Sequence, residues 1–118
     1  MFRFRSFVTS AMASLCFVPG AFSQTPAKVD FARDVAPIFR QNCIGCHGPD
    51  KQNKGLRVDR RSSVLKPGTR RVVPGSVENS FLYYRVAGSD FGIQMPPTGP
   101  LRKEQIQIIK AWIEQGAE

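Results

Sequence analysis

Between His47 and Ser76 the chain carries four glycines, three prolines and no sustained hydrophobic period, in a protein of only 118 residues. That composition marks a long irregular loop. A structureless connection of this length is unusual in so short a chain unless it wraps something. The flanking segments are helical in pattern. In FARDVAPIFRQNC, Val35, Ile38 and Phe39 recur at helical spacing, which predicts a helix over about 34–43 with Asp34 as its cap and Pro37 tolerated in the first turn. Ser62 to Leu65 has the makings of one helical turn. Ser76 reads as the N-cap of a helix through VENSFLYYRV, with Val77, Phe81, Tyr84 or Leu82, and Val86 on one side. A second Gly/Pro-rich loop covers 88–100 and holds Met95. The clearest helix is the last, about 102–115: Ile106, Ile109 and Ile113 form a stripe broadened by Trp112, and Gly116 stands where a helix stop belongs. Phe39 and Trp112 are expected to meet where the first and last helices pack. No alternating segment supports a sheet, so the class is all-α, three to four short helices joined by long loops.

The first 23 residues read as an address rather than as fold. Arg3 and Arg5 precede a mostly apolar stretch from Ser6 to Phe17, Pro19-Gly20 breaks it, and Ala21-Phe22-Ser23 offers small residues to a signal peptidase. The competing reading, an uncleaved membrane anchor, suffers from a short apolar stretch, and no run in the chain reaches the ~18–20 residues of a transmembrane helix. Leu15 is too bulky before Cys16 for a lipoprotein signal. Residues 24–30 (QTPAKVD) look like a short tether, leaving 31–118 as one domain. Without the leader the formal charge falls from +8 to +6, and of three cysteines only Cys43 and Cys46 remain, beside one methionine, Met95, and one histidine, His47. A chain of about 95 residues often needs a cofactor, metal or disulfide to complete its core.

Residues 43–47 supply the means: Cys43-Ile44-Gly45-Cys46-His47. Two thiols three positions apart suit the two vinyl groups of one haem, and the imidazole that follows suits its iron. Gly45 would keep the turn free of a side chain against the macrocycle. A thioredoxin-like dithiol normally opens a helix after a strand, whereas these cysteines close a helix. A structural zinc site normally needs four ligands, and only Cys43, Cys46 and His47 are at hand. Met95, 48 residues beyond His47 in Gln94-Met95-Pro96-Pro97, is the remaining sixth-ligand candidate. The plainer alternative for it is a core gap-filler. His/Met ligation raises the reduction potential and leaves no open coordination position, favouring electron transfer over catalysis.

Together these residues resemble a single-haem class I cytochrome c, and more narrowly a planctomycete-type cytochrome c domain. The matching stretches are DFARDVAPIFRQNCIGCHG, KGLRVD, VVPGSVENSFLYYRV, MPP and EQIQIIKAWIEQGA, over about 30–117. The resemblance implies a class I cytochrome c fold wrapped around one covalent haem c, Cys43 and Cys46 as thioether sites, and His47 and Met95 as axial ligands. It departs from the family at Arg102-Lys103, where a Thr-Pro start is common; a poor cap and positive charge at that end predict a frayed first turn. The family domain is also commonly fused to larger domains.

From 51 to 71 stand eight basic residues (Lys51, Lys54, Arg57, Arg60, Arg61, Lys66, Arg70, Arg71) against one acid, Asp59. They read as a docking face for an acidic redox partner, as partners for haem propionates through Arg57 or Arg71, or as a solvated loop. No aromatic–basic interleaving supports nucleic acid. Tyr83 or Tyr84 is expected beside the haem pocket. The expected function is electron transfer by an exported, periplasmic haem protein, not an enzyme, either as a carrier or as a module through which electrons enter a larger complex. The alternative is a haem enzyme or sensor whose Met95 leaves to admit peroxide or a gas. Nothing in the sequence names the donor, the acceptor or the oligomeric state.

Overall fold

The structure, a computed structural model, describes residues 27–88, 90 and 92–118. The leader expected over 1–23 and the first three tether residues lie outside them. A π-helical turn, Phe31–Val35, runs directly into α1 (Ala36–Asn42). Then follow a 3₁₀ turn Asn53–Gly55, α2 (Arg61–Val64), a 3₁₀ turn Val77–Asn79, α3 (Phe81–Ala87) and α4 (Lys103–Glu114). Among the described residues there are four α-helices and no strand, only two isolated bridges, His47 with Gln52 and Val73 with Ser76. This is the all-α architecture the periodicities predict.

The first helix begins earlier than its sequence suggests. Asp30, not Asp34, is the N-cap: its Oδ1 accepts from Arg33 N–H at 2.7 Å, while Asp34 Oδ2 accepts from Asp30 N–H at 2.9 Å. The two aspartates thus cap reciprocally, as in a capping box. Hydrogen bonds from the Arg33 side chain, and then from Asp30 N–H, hold the Asp34 carboxyl well below its usual range, at about 2. A depressed acid adds stability above its unfolded value near 3.9 and loses it as pH falls toward the folded one. Asp34→Asn is therefore expected to flatten the acid limb of unfolding between about pH 4 and 2, followed by far-UV circular dichroism.

The core is built where this helix meets α4. Phe39 and Trp112 lie edge to face with ring centroids 6.2 Å apart, and Phe31 completes a trio at 5.5 Å from Trp112 and 6.1 Å from Phe39. Val35, Ile38, Ile109 and Ile113 are buried around them. Each such pair adds about 0.5–1.5 kcal/mol beyond its burial. Trp112 Nε1–H donates to Glu118 O at 2.7 Å, so no polar atom is stranded in that contact. α4 ends as expected at Gly116, with Gly116 N–H on Ile113 O at 3.0 Å and Ala117 N–H on Trp112 O at 2.8 Å, the paired bonds of a Schellman stop. Its start is better held than Arg102 alone would allow, because Gln105 Oε1 accepts from Arg102 N–H at 3.1 Å.

The helix expected from Ser76 onward is broken at Ser80. This serine is fully buried and extended (φ −101°, ψ 104°); its Oγ accepts from Val73 N–H at 2.9 Å and donates to Ser76 O at 2.7 Å. Those bonds compete with the helical ladder and divide the segment into a 3₁₀ turn and α3. Phe81 and Val86 still share one side of α3, but Phe81 is left 42 % exposed there.

Candidate functional site

Cys43 ends α1, and the chain turns on itself: Cys46 N–H and His47 N–H both donate to Cys43 O, at 3.1 and 2.9 Å. The following loop folds back onto the turn. Asn53 N–H bonds Cys46 O at 3.0 Å, and Val58 N–H bonds His47 O at 2.8 Å. His47 Nδ1 lies 3.1 Å from Asn53 O. A carbonyl partner fixes Nδ1 as the protonated nitrogen and leaves Nε2 as the free donor atom, the tautomer a metal ligand needs.

Within the turn itself, Gly48 is the glycine that close packing requires. A Cβ on Gly45 would meet nothing within 4 Å, whereas one on Gly48 would overlap the Ile44 carbonyl oxygen and lie 2.6 Å from Ile44 Cγ1. Gly48→Ala must push apart the backbone that carries Cys43, Cys46 and His47. It is expected to lower the melting temperature by several degrees, on the order of 1–3 kcal/mol.

Beside the turn lies a cavity of about 310 Å³. Its walls are mostly apolar: Leu56 and Val58 from the long loop, Val64 from α2, Phe81, Leu82 and Val86 from α3, and Ile93. Cys43, His47 and Met95 all border it. Cys46, one turn of chain beyond Cys43, is exposed and does not. Lys54, Arg71 and Arg85 add positive charge at its edge. Arg71 also donates to Lys54 O at 2.9 Å and Ser63 O at 3.0 Å, which fixes its guanidinium there. Arg57 is committed elsewhere, in an ion pair with Asp59, and does not line the cavity. Neither Tyr83 nor Tyr84 borders it, since the break at Ser80 gives that face of α3 to Phe81, Leu82, Arg85 and Val86. Lys54 and Arg85 carry no sequence signal of a site role: Lys54 is one of many loop cations, and Arg85 stands alone in a helical segment.

The donor set fits a c-type haem better than its competitors. Among the described residues, Cys43 and Cys46 are free thiols and no three His, Cys, Asp or Glu side chains gather as a metal-ion site requires. Burial pushes the Cys43 thiol up to about 11. A dithiol exchanger depends on a ready thiolate, which that burial opposes. An apolar slot bordered by a thiol, an imidazole, a thioether and cations suits a flat apolar macrocycle with iron at its centre and carboxylates on its rim.

Residues 43–99 match the family described as Planctomycete cytochrome C. Among curated proteins and among solved structures, none matches the chain. No helix among the described residues is long and apolar enough to cross a membrane.

Proposed function

Because the chain carries a planctomycete-type cytochrome c domain, a family that implies covalent haem c and haem-based electron transfer, we propose that it is a one-haem electron-transfer protein and not an enzyme. Cys43 and Cys46 would hold the haem through thioethers, and His47 and Met95 would supply the ligands to its iron. The observation that carries this reading is that His47 and Met95, 48 residues apart in sequence, border the same apolar cavity as Cys43. When bound, the haem supplies an iron that alternates between iron(II) and iron(III).

The chain's own residues set the conditions for that exchange. Asn53 O orients the His47 imidazole through Nδ1. The Met95 thioether favours iron(II) and so raises the potential. Leu56, Val58, Val64, Leu82 and Val86 keep water from the slot, while Lys54, Arg71 and Arg85 offer charge to the propionates. Lys51, Arg60 and Lys66, exposed on the long loop, are cations that an acidic redox partner would meet. The leader over 1–23 sends the protein to the periplasm, where it serves as a carrier or as the module through which a larger complex receives electrons.

Absorption spectroscopy of the holoprotein tests the reading. A six-coordinate low-spin ferric haem with the iron–thioether charge-transfer band is expected. A high-spin ferric haem that binds carbon monoxide readily once reduced would replace the carrier with a ligand-binding enzyme or sensor.

A further inference from the structure

Among the described residues, the loop that carries Met95 has little to hold it. Gly88, Gly92, Pro96, Pro97, Gly99 and Pro100 interrupt it, and Ile93 is 70 % exposed. Such segments sit at the low end of local stability. Among the described residues, two hydrogen bonds nevertheless fasten it to α3, and both use one residue. Met95 N–H donates to Arg85 O at 2.8 Å, and Arg85 Nη1 donates to Ile93 O at 3.1 Å. Gly92 (φ +122°) lets the guanidinium lie flat on the loop, since a Cβ there would fall 2.6 Å from Arg85 Cζ and 2.8 Å from Nη2. Among the described residues no carboxylate lies within ion-pair distance of Arg85.

We propose that Arg85 is a positioning residue for Met95: its guanidinium, clamped on Ile93 O across Gly92, latches the loop to α3 and holds the thioether at the cavity. The inference rests on Met95 being the sixth ligand. Arg85 is suited to the task because its planar fork is always charged and a charged donor makes the stronger hydrogen bond to a carbonyl. α3 supplies a firm base, with Val86 buried and Gly88 closing the helix in the left-handed conformation. Removing the latch raises the fraction of molecules in which Met95 stands away from the iron. An exogenous ligand then binds more tightly in proportion to that fraction.

Imidazole titration of the ferric holoprotein reads this directly, beside the thioether band and the reduction potential. Arg85→Met is expected to bind imidazole roughly tenfold more tightly than wild type, to lose the band in milder alkali and to have a lower potential. Arg85→Lys, which keeps a charged donor, should fall between the two. Gly92→Ala, which drives the guanidinium off the loop but keeps its charge, should resemble Arg85→Met. In a Met95→Ala background Arg85→Met should change imidazole affinity no further. Wild-type affinity and band in both Arg85→Met and Gly92→Ala overturn the latch, as does an equal effect of Arg85→Met with and without Met95. A wild-type protein that lacks the band and is unaltered by Met95→Ala overturns the ligand assignment, and the latch with it.

Discussion

Cys43→Ser/Cys46→Ser, which cannot attach haem, is expected to be largely unfolded. The reason lies in where the apolar side chains point. The trio Phe31, Phe39 and Trp112 with Ile109 and Ile113 makes one well-filled contact, between the first helix and α4. Leu56, Phe81, Leu82 and Ile93 instead border the cavity and are left half-buried or exposed. Filling it buries that second apolar surface, at about 25 cal/mol per Å² removed from water. Both cysteines are free thiols in the structure, so no disulfide substitutes for the haem. A domain this small has on the order of 5–15 kcal/mol of stability in total, so leaving that apolar surface in water removes much of it. Thermal scans by far-UV circular dichroism should show a strong cooperative transition in the holoprotein and a weak, broad one in the variant. A sharp transition in the variant near the holoprotein's midpoint contradicts the prediction.

The second large effect is expected from Met95→Ala. The loop that presents Met95 stays latched to α3 through the backbone bond from residue 95 to Arg85 O and the side-chain bond to Ile93 O, so the fold should survive. What is lost is a sulfur donor that favours iron(II). Each tenfold of that preference corresponds to about 59 mV in a one-electron couple. A hundredfold preference would therefore lower the potential of the variant by roughly 120 mV. The charge-transfer band should vanish and the reduced protein should take up carbon monoxide. An unchanged potential and spectrum would return Met95 to the plainer role of a packing residue.

Much of the helical scaffold was legible in the sequence because it is written in periodic, local signals. The stripe Ile106–Ile109–Ile113 with Trp112, the stop at Gly116 and the meeting of Phe39 with Trp112 all appear as expected. The misses share a cause: each depends on a hydrogen bond or close approach that residue type alone does not announce. Asp30 and Asp34 both suit a cap, and only their reciprocal bonds decide which is the N-cap. Ser80 looks like an ordinary helical serine until its hydroxyl is seen bonded to Val73 and Ser76. Gly48 looks like one more loop glycine until its Cα is seen against the Ile44 carbonyl. The candidate ligands were readable as chemistry, through Cys43, Cys46, His47 and a lone late methionine. The cavity that joins three of them, and the cations Lys54 and Arg85 at its edge, come from loop conformation, where propensity carries little information.

The same limit applies to charge. Arg57 and Arg71 are indistinguishable candidates for the propionates until Asp59 claims the first and the carbonyls of Ser63 and Lys54 fix the second beside the cavity.

The claim on which everything else stands is covalent attachment of one haem at Cys43 and Cys46. A pyridine haemochrome assay on protein produced with the cytochrome c maturation machinery measures it directly. A spectrum of the c type at one haem per chain, retained through acid–acetone extraction and lost in Cys43→Ser/Cys46→Ser, is the predicted result. A haem-free protein, or haem that leaves with the solvent, contradicts it.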